Sequence, residues 1–372
     1  MALEEALTSE STRPAETPPP ALPSRSRLAR LAFIGVVILG VAAAFLYLGG
    51  WFSPLAVTPA RFVDAFEGVD GIHSGFRRNH AKGVGVSGFF ESNGQGTRLS
   101  KAAVFRTGRI PVIGRFSFGN SNPYVADAPD LVRGLGLLFR LSDGEEWRTA
   151  MVSLPVFPVK APEAFYEILV AQQPDPQTHK PDPKKMEAFL ASHPETVQAF
   201  KIIQSHPVSS GFENTIYNSL NAFRFVDAGG ASIPVRWSLV PPPPFAAANA
   251  ADSGNKNYLF DALIASIHQR PLQWRLVITV GQPGDVTDDA SIPWPDGREQ
   301  VDVGTLTVNS VESDDDSPAR EINFDPLVLP AGMAPSDDPL LSARSAVYSQ
   351  SFTRRVGEAK QPSAITPSEV RK

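Results

Sequence analysis

Three groups of residues in this sequence have types and spacings that suit work on a bound ligand. The first is His80, which lies just before a segment that alternates in polarity and contains Gly83 and Gly85. Glycines at these points let another group, or a flat ligand, approach the backbone closely. An isolated histidine is more often structural than catalytic, so both interpretations stay open for this residue.

The other two groups are built around arginines. Arg115 lies towards the end of a predicted strand, where an inward guanidinium is costly unless it is paired. A ligand carboxylate would pair it, and so would a surface salt bridge. Arg344 and Tyr348 are four residues apart, which places them on one face of a helix. The positive charge favours the phenolate, which can bind ferric iron; an ordinary Arg–Tyr packing pair is the alternative.

Taken in order along the chain, these groups resemble the motifs of the haem catalase superfamily. Arg-Arg-Asn-His80-Ala-Lys-Gly-Val-Gly-Val-Ser-Gly-Phe-Phe-Glu resembles its distal-histidine motif, and Pro-Leu-Leu-Ser-Ala-Arg344-Ser-Ala-Val-Tyr348 with Arg355 resembles its proximal motif. Shorter similarities lie at 113–117, 130–136, 153–157 and 162–165. The chain is most similar to the short group called catalase-related peroxidases, because it has no room for the additional domains of larger catalases.

The resemblance implies a role for each matching residue. His80 would be the distal acid and base over the haem iron, and Ser117 would hydrogen-bond it. Tyr348 would be the proximal ligand of the iron, and Arg344 would hold it ionised. The remaining matches would bind haem b: Arg77, Arg115 and Arg355 at the propionates, Phe165 on the pocket wall, and Val84 where access to the iron narrows.

One departure from the family pattern bears on activity. Catalases carry a distal asparagine three residues before a proline, and this sequence has Val152 in Met-Val-Ser-Leu-Pro155. Valine cannot donate the hydrogen bond that helps to orient a second peroxide, although the adjacent Ser153 would partly substitute. The loop after Tyr348 also differs, with Ser-Gln in place of the family's residues.

The implied function is therefore that of a haem peroxidase with weak catalase activity. It would reduce hydrogen peroxide or small organic hydroperoxides with an external electron donor that the sequence does not identify. The alternatives are a true catalase, a fatty-acid hydroperoxide-converting haem enzyme, a haem-binding protein without turnover, and a binding barrel without haem. Catalase-like domains tend to associate, so a homo-oligomer is compatible with the resemblance.

The elements that must position these residues belong to an α+β class. Short strand-like segments separated by Gly, Pro or Asp predict an antiparallel barrel or sandwich, and helical segments cluster between two strand sets. The resemblance implies a catalase-like antiparallel β-barrel with helices packed on it. The predicted strands are 84–91, 101–106, 110–118, 136–141, 148–154, 222–226, 235–240, 274–280 and 301–311.

The N-terminal part predicts a membrane anchor. Residues 31–52 carry no charge and are long enough to cross a bilayer. Arg25, Arg27 and Arg30 precede them, which favours a cytoplasmic N-terminus and a periplasmic catalytic domain; a cleaved signal peptide is the competing interpretation. The predicted boundaries are a disordered cytoplasmic tail (1–30), the transmembrane helix (31–52), a linker (53–60), the haem domain (61–358) and a loose tail (359–372).

Composition excludes several classes of site. The chain has no cysteine, which removes disulfides, zinc fingers, iron–sulfur clusters and thiolate haem ligands together. Its net charge is -5 and it has no basic stripe with interleaved aromatics, so no nucleic-acid partner is expected.

Overall fold

A computed structural model describes residues 24–48, 57–242, 245–247 and 254–371. The chain divides into two compact units, Met1–Ala56 and Val57–Lys372. The helices are α1 Ser24–Leu48, α2 Pro59–Asp70, α3 Pro162–Gln172, α4 Pro183–Ser192, α5 Pro194–Ser205, α6 Tyr258–Gln269, α7 Pro339–Val356 and α8 Pro367–Val370. The strands are β1 Gly83–Ser92, β2 Gly108–Phe118, β3 Arg133–Arg140, β4 Glu146–Val152, β5 Tyr217–Asn218, β6 Phe223–Val226, β7 Ser232–Val240, β8 Leu272–Val280, β9 Gln300–Ser313 and β10 Met333–Pro335. Short 3-10 helices lie at Gln95–Arg98, Ala103–Phe105 and Pro318–Glu321.

The second unit is built on a closed antiparallel barrel. The strand order is β7-β5-β4-β3-β2-β1-β9-β8, and β8 pairs with β7 to close the ring. β6 and β10 extend the sheet from β7. Closure pairs β8 with β7, so that neither strand is a free edge of the barrel; this is one way in which β proteins avoid edge-to-edge aggregation. The predicted α+β class, with an antiparallel barrel and packed helices, is confirmed.

Alternation along the strands separates the barrel interior from the face that carries the site. In β3, Leu135, Leu137 and Phe139 are buried in the main hydrophobic cluster inside the barrel. Successive residues of a strand point to opposite faces, so Gly134 and Gly136 lie on the outer face. The absence of side chains there leaves a flat surface against which other groups pack.

Two segments differ from the sequence-based expectation. Residues 101–106 were predicted as a strand, but a 3-10 helix runs over Ala103–Phe105. Val104 and Phe105 are both fully buried, and a short apolar run does not distinguish a strand from a buried helical turn. The C-terminal segment is also packed rather than loose, because Ile365 and Val370 join the main hydrophobic cluster.

The first unit contributes helix α1 to the described residues. Its Leu28–Tyr47 stretch is long and apolar enough to cross a membrane by length and composition, a test that a signal sequence also passes. Large apolar side chains along it are exposed. The predicted tail lies outside the described residues over 1–23, as do residues 49–52 of the predicted transmembrane helix and 53–56 of the linker.

Candidate active site

A deep cavity lies between the outer face of β2–β4 and the helices α2, α3 and α7. It encloses about 1270 Å³ of space free of protein atoms, counting its open mouth. On one side, Phe165 of α3 packs its ring against those of Phe62, Phe66 and Phe157, with centroids 5.1–6.1 Å apart. This aromatic wall makes the cavity largely apolar.

Ion pairs hold α2 and α7, which form two walls of the cavity, against each other. Arg354 at the end of α7 pairs with Asp64 and Glu67 of α2, at 2.6 and 3.1 Å. Arg78, in the segment that leads to β1, pairs with Glu67 at 2.7 Å and also with Glu358. These contacts tie the beginning of the folded unit to its last long helix.

His80 enters the cavity from the segment before β1. Its backbone is left-handed, with φ 58°, a conformation that is uncommon for residues other than glycine. Its Nδ1 lies 3.0 Å from Oγ of Ser117 on β2. A Cβ atom on Gly134 would lie only 2.7 Å from the imidazole, so the glycine is needed for the ring to pack flat on β3.

The charge state of His80 follows from its surroundings. Burial, and then the positive charges of Arg115, Arg77 and Arg344, lower the pKa of His80 from 6.5 to about 3. The imidazole is therefore neutral at physiological pH. A neutral imidazole next to a cavity can accept a proton from a bound molecule and return it.

Arg344 and Tyr348 reach the cavity from α7, as their spacing predicts. Nη2 of Arg344 donates to Oη of Tyr348 at 3.4 Å and to the carbonyl of Ala150 on β4 at 3.0 Å. The guanidinium carbon lies 5.7 Å from the centroid of the tyrosine ring. The arginine is thus anchored to the barrel and presents its charge to the phenol.

Asn221 and Asp338 extend this contact, and sequence reasoning missed both. Asn221 accepts a hydrogen bond from Nη1 of Arg344 through Oδ1 and donates from Nδ2 to Oδ2 of Asp338 at 2.7 Å. Oδ1 of Asp338 caps helix α7 by accepting from the amide of Leu340 at 2.9 Å. Burial raises the pKa of Asp338, and the bond from Asn221 opposes that rise. One carboxylate therefore starts the helix and, through Asn221, orients the arginine.

A cluster of arginines lies beside the same cavity. Arg115 is buried and pairs with Asp314, its Nη2 at 2.6 Å from Oδ2, while Nη1 donates to the carbonyl of His80 at 2.7 Å. Arg77 donates to the carbonyls of residues 319, 320 and 322 at 2.9–3.3 Å. Burial, and then the charges of Arg355 and Arg115, hold the pKa of Arg77 well below its usual value.

Among these three arginines, Arg355 has buried guanidinium nitrogens that lack a hydrogen-bond acceptor among the described residues. It donates to the same Arg320 carbonyl as Arg77, but its Nε and Nη2 are buried with no hydrogen-bond partner among the described residues. Burial, and then the charge of Arg115, lower the pKa of Arg355 to about 10. Unpaired buried donors are destabilising, so an anionic ligand group at this point would stabilise the cluster.

The structure brings most of the predicted site residues together. Those that line the cavity are Arg77, His80, Arg115, Ser117, Phe165, Arg344 and Tyr348. Arg355 lies behind the wall, joined to Arg77 through the Arg320 carbonyl. Val84 is elsewhere, fully buried in the hydrophobic cluster inside the barrel, because Gly83 and Gly85 occupy the positions of β1 that face outwards. This placement differs from the expectation that Val84 narrows access to the iron.

Val152 and Ser153, the residues at the predicted departure from the catalase pattern, lie in different environments. Val152 lines the cavity. Ser153 does not appear on its wall, and its Oγ accepts a hydrogen bond from the amide of Arg133 at 3.0 Å. The structure therefore does not bring the Ser153 hydroxyl to the point where it would replace an asparagine at 152.

The fold and this site define a member of the catalase family. Residues 58–366 match the family model described as catalase, and since they make up most of the chain, the protein belongs to that family. It is 37% identical over 327 residues to a catalase-related peroxidase of Synechococcus elongatus, covering 87% of this chain and 93% of that protein. A catalase-related peroxidase of Mycolicibacterium paratuberculosis is 31% identical over 304 residues, covering 81% and 96%. Among solved structures, a fungal catalase superposes with a TM-score of 0.69 at 20% identity, covering 79% of this chain and 62% of that one.

Proposed function

We propose that this protein is a haem b-dependent peroxidase that reduces hydrogen peroxide or small organic hydroperoxides with an external electron donor. The observation that carries the proposal is the presence of His80 and the Arg344–Tyr348 pair on the walls of one large, mostly apolar cavity. The names of the two relatives support a peroxidase rather than a full catalase, because both match this chain over nearly their whole length.

The residues around the cavity fit a haem. Its apolar body suits the aromatic side chains of α2 and α3. Gly134 and Gly136 leave room on the outer face of β3 for His80 and the Phe324 ring, which line the same cavity. Anionic propionates suit the arginine cluster, in which Arg355 has two buried donors free among the described residues. We infer that Arg77, Arg115 and Arg355 hold the propionates and that Tyr348 binds the iron.

The roles of the other site residues follow from their contacts. When bound, the haem would supply the redox chemistry that cleaves the peroxide O–O bond. His80, neutral at physiological pH, accepts the proton of one peroxide oxygen and returns it to the other, which then leaves as water or alcohol. In the tautomer whose Nδ1–H donates to the Ser117 hydroxyl, Nε2 of His80 is the proton acceptor. Arg344 places its positive charge beside Oη of Tyr348, the atom that we propose binds the iron.

Val152 supports weak catalase activity. Dismutation requires a second peroxide to be oriented, and an isopropyl group offers it no hydrogen bond. Ser153, the candidate substitute, is engaged with the Arg133 amide. The protein would therefore complete the cycle with electrons from another molecule.

We also propose that α1 is a retained membrane anchor and that the catalytic unit faces the periplasm. Arg25, Arg27 and Arg30 before the apolar stretch support this orientation. Facing outwards, the enzyme would act in the oxidative stress response on peroxide that arrives from outside the cell. The electron donor and any homo-oligomer would be found on that side.

The test is the absorption spectrum of the full-length protein, purified in detergent and supplied with haem. We expect a Soret band with high-spin ferric features that changes on addition of peroxide and is lost in Tyr348→Phe. The matched control is Tyr124→Phe, an exposed tyrosine, which should keep the wild-type spectrum. A wild-type protein that shows no Soret band after haem supplementation would refute the proposal, and equal rates of oxygen evolution and donor oxidation would refute its peroxidase character.

A further inference from the structure

The cavity wall near His80 contains a second polar side chain, that of Asn79, to which the proposed function gives no role. Asn79 lines the cavity together with His80, Ser117 and Val152, and it is half-buried. Its Oδ1 accepts a hydrogen bond from the His80 amide at 2.9 Å. Because a backbone N–H can only donate, this bond identifies which end of the carboxamide is oxygen and which is nitrogen.

The nitrogen of this carboxamide is a free donor beside His80. No residue in the part of the chain that the structure describes accepts a hydrogen bond from Nδ2 of Asn79. Nor is Nδ2 among the buried atoms that lack a partner, so it borders open space. An amide N–H that borders open space beside a proton-accepting imidazole is placed to bind a small polar molecule there.

Other polar groups of the wall are already engaged. Ser117 Oγ faces Nδ1 of His80, and Ser351 Oγ accepts from the amide of Arg78 at 3.2 Å. Asn323 is the other lining amide. It precedes Phe324, whose ring lies 5.5 Å from the guanidinium carbon of Arg77, and so it belongs to the arginine side of the cavity.

The bond to His80 also holds the donor in place. His80 has φ 58°, and asparagine side chains commonly stabilise such turns by bonding to the neighbouring backbone. The same contact therefore fixes the His80 backbone and the Asn79 carboxamide relative to each other. A donor fixed in advance stabilises developing charge without reorganisation.

We propose that Asn79 is the hydrogen-bond donor that orients the first peroxide beside His80, a role distinct from the orientation of a second peroxide, for which Val152 offers no donor. This inference rests on the proposed function and deepens it. His80 takes the proton from one peroxide oxygen, and Nδ2 of Asn79 donates a hydrogen bond to the peroxide while that proton moves. The donor is not consumed, and its proton stays on nitrogen.

The test measures fluoride binding to the haem-loaded, full-length protein by absorption titration. Fluoride is a small anion that accepts hydrogen bonds strongly, so its affinity reports donors next to the iron-binding position without turnover. In Asn79→Ala we expect the fluoride dissociation constant to rise about tenfold or more, the usual effect of losing a hydrogen bond to a charged group. The peroxide reaction rate should fall in parallel.

A rescue variant separates a donor from a purely structural role. In Asn79→Ala/Val152→Asn, a carboxamide returns to the cavity from β4, and most of the lost fluoride affinity should return with it. The matched control is Asn122→Ala, because Asn122 likewise caps a backbone amide, that of Tyr124 at 2.8 Å, and does not line the cavity.

Three outcomes would overturn the inference. Fluoride affinity in Asn79→Ala within twofold of wild type would show that no donor was removed. A loss in Asn79→Ala that Val152→Asn does not restore would show that Asn79 only supports the His80 backbone. A wild-type protein without a Soret band would refute the proposed function, and this inference with it.

Discussion

The packing of His80 on Gly134 allows one substitution to be worked out in detail. In Gly134→Ala the new Cβ would lie 2.7 Å from Cε1 and Nδ1 of His80, where ordinary contacts begin at 3.4 Å. The imidazole must therefore move by about 0.7 Å or more, since repulsion rises steeply below contact distance. The same methyl group would lie 3.0 Å from Oγ of Ser117, so it also weakens the contact that orients the ring.

The expected effect is large on the reaction and modest on the fold. A misplacement of about 1 Å in a catalytic group costs about 100-fold in rate, so we expect peroxide to react about 30- to 100-fold more slowly. Overpacking at one buried site costs about 1–3 kcal/mol of stability. The haem content should stay near the wild-type level, because Gly134 makes no contact that holds the propionates or the iron.

Stopped-flow mixing with hydrogen peroxide measures this effect through the change in the Soret band. Gly211→Ala is the matched control, since a Cβ there would meet nothing within 4 Å and its φ is not positive. If Gly134→Ala retains its haem and reacts within twofold of wild type, the reasoning is wrong, and the position of the His80 ring does not limit the rate.

Three further predictions concern the distal wall, the pH dependence and the helix cap. Val152→Asn should raise the ratio of oxygen evolution to oxidation of the electron donor by about tenfold. The control Val208→Asn, at an exposed site, should leave this ratio unchanged. An unchanged ratio in Val152→Asn would mean that the missing hydrogen-bond donor is not what limits dismutation. Because the pKa of His80 is lowered to about 3 in the folded state, the unfolded chain binds a proton there below about pH 6.5 that the folded chain does not. The haem-free protein should therefore lose stability as pH falls from about 6.5 towards 3, and urea titrations should show a shallower loss in His80→Gln but not in the exposed His268→Gln. Asp338→Ala should lower the free energy of unfolding by about 2–3 kcal/mol, because it removes a helix cap and leaves the buried Asn221 amide unpaired. The control Asp182→Ala removes only the cap of α4 and should lower it by about 1 kcal/mol. Equal losses in the two variants would contradict the coupling of Asp338 to Asn221.

The sequence predicts the local contacts of this site better than the packing of the elements around it. The spacing of Arg344 and Tyr348 is a local property of one helix, and the structure confirms their contact. The four-residue spacing of Phe62 and Phe66 suits one face of a helix, but the position of that helix across the cavity from the barrel depends on ion pairs with α7. No local pattern specifies contacts between residues that are so far apart in the chain.

Two features that were not predicted, the inward orientation of Val84 and the capping of α7 by Asp338, are indicated by the local sequence. Gly83 and Gly85 alternate with Val84, so a strand that turns its glycines to the outer face of the barrel must turn Val84 to the interior. Asp338 precedes Pro339, which is a typical start of a helix. The coupling of Asp338 to Arg344 had no such signal, because Asn221 joins them from a distant part of the chain and an asparagine there fits a loop equally well.

The walls of the cavity come from opposite ends of the folded unit, and this determines when the cavity can exist. Phe62 and Phe66 are synthesised before the barrel, and the barrel is synthesised before α7 with Arg344 and Tyr348. A nascent chain that still lacks α7 lacks one wall of the cavity and the Tyr348 side chain. Under the proposed function, retention of haem would therefore follow synthesis of α7. A chain that stops before residue 348 would lack the proposed iron ligand.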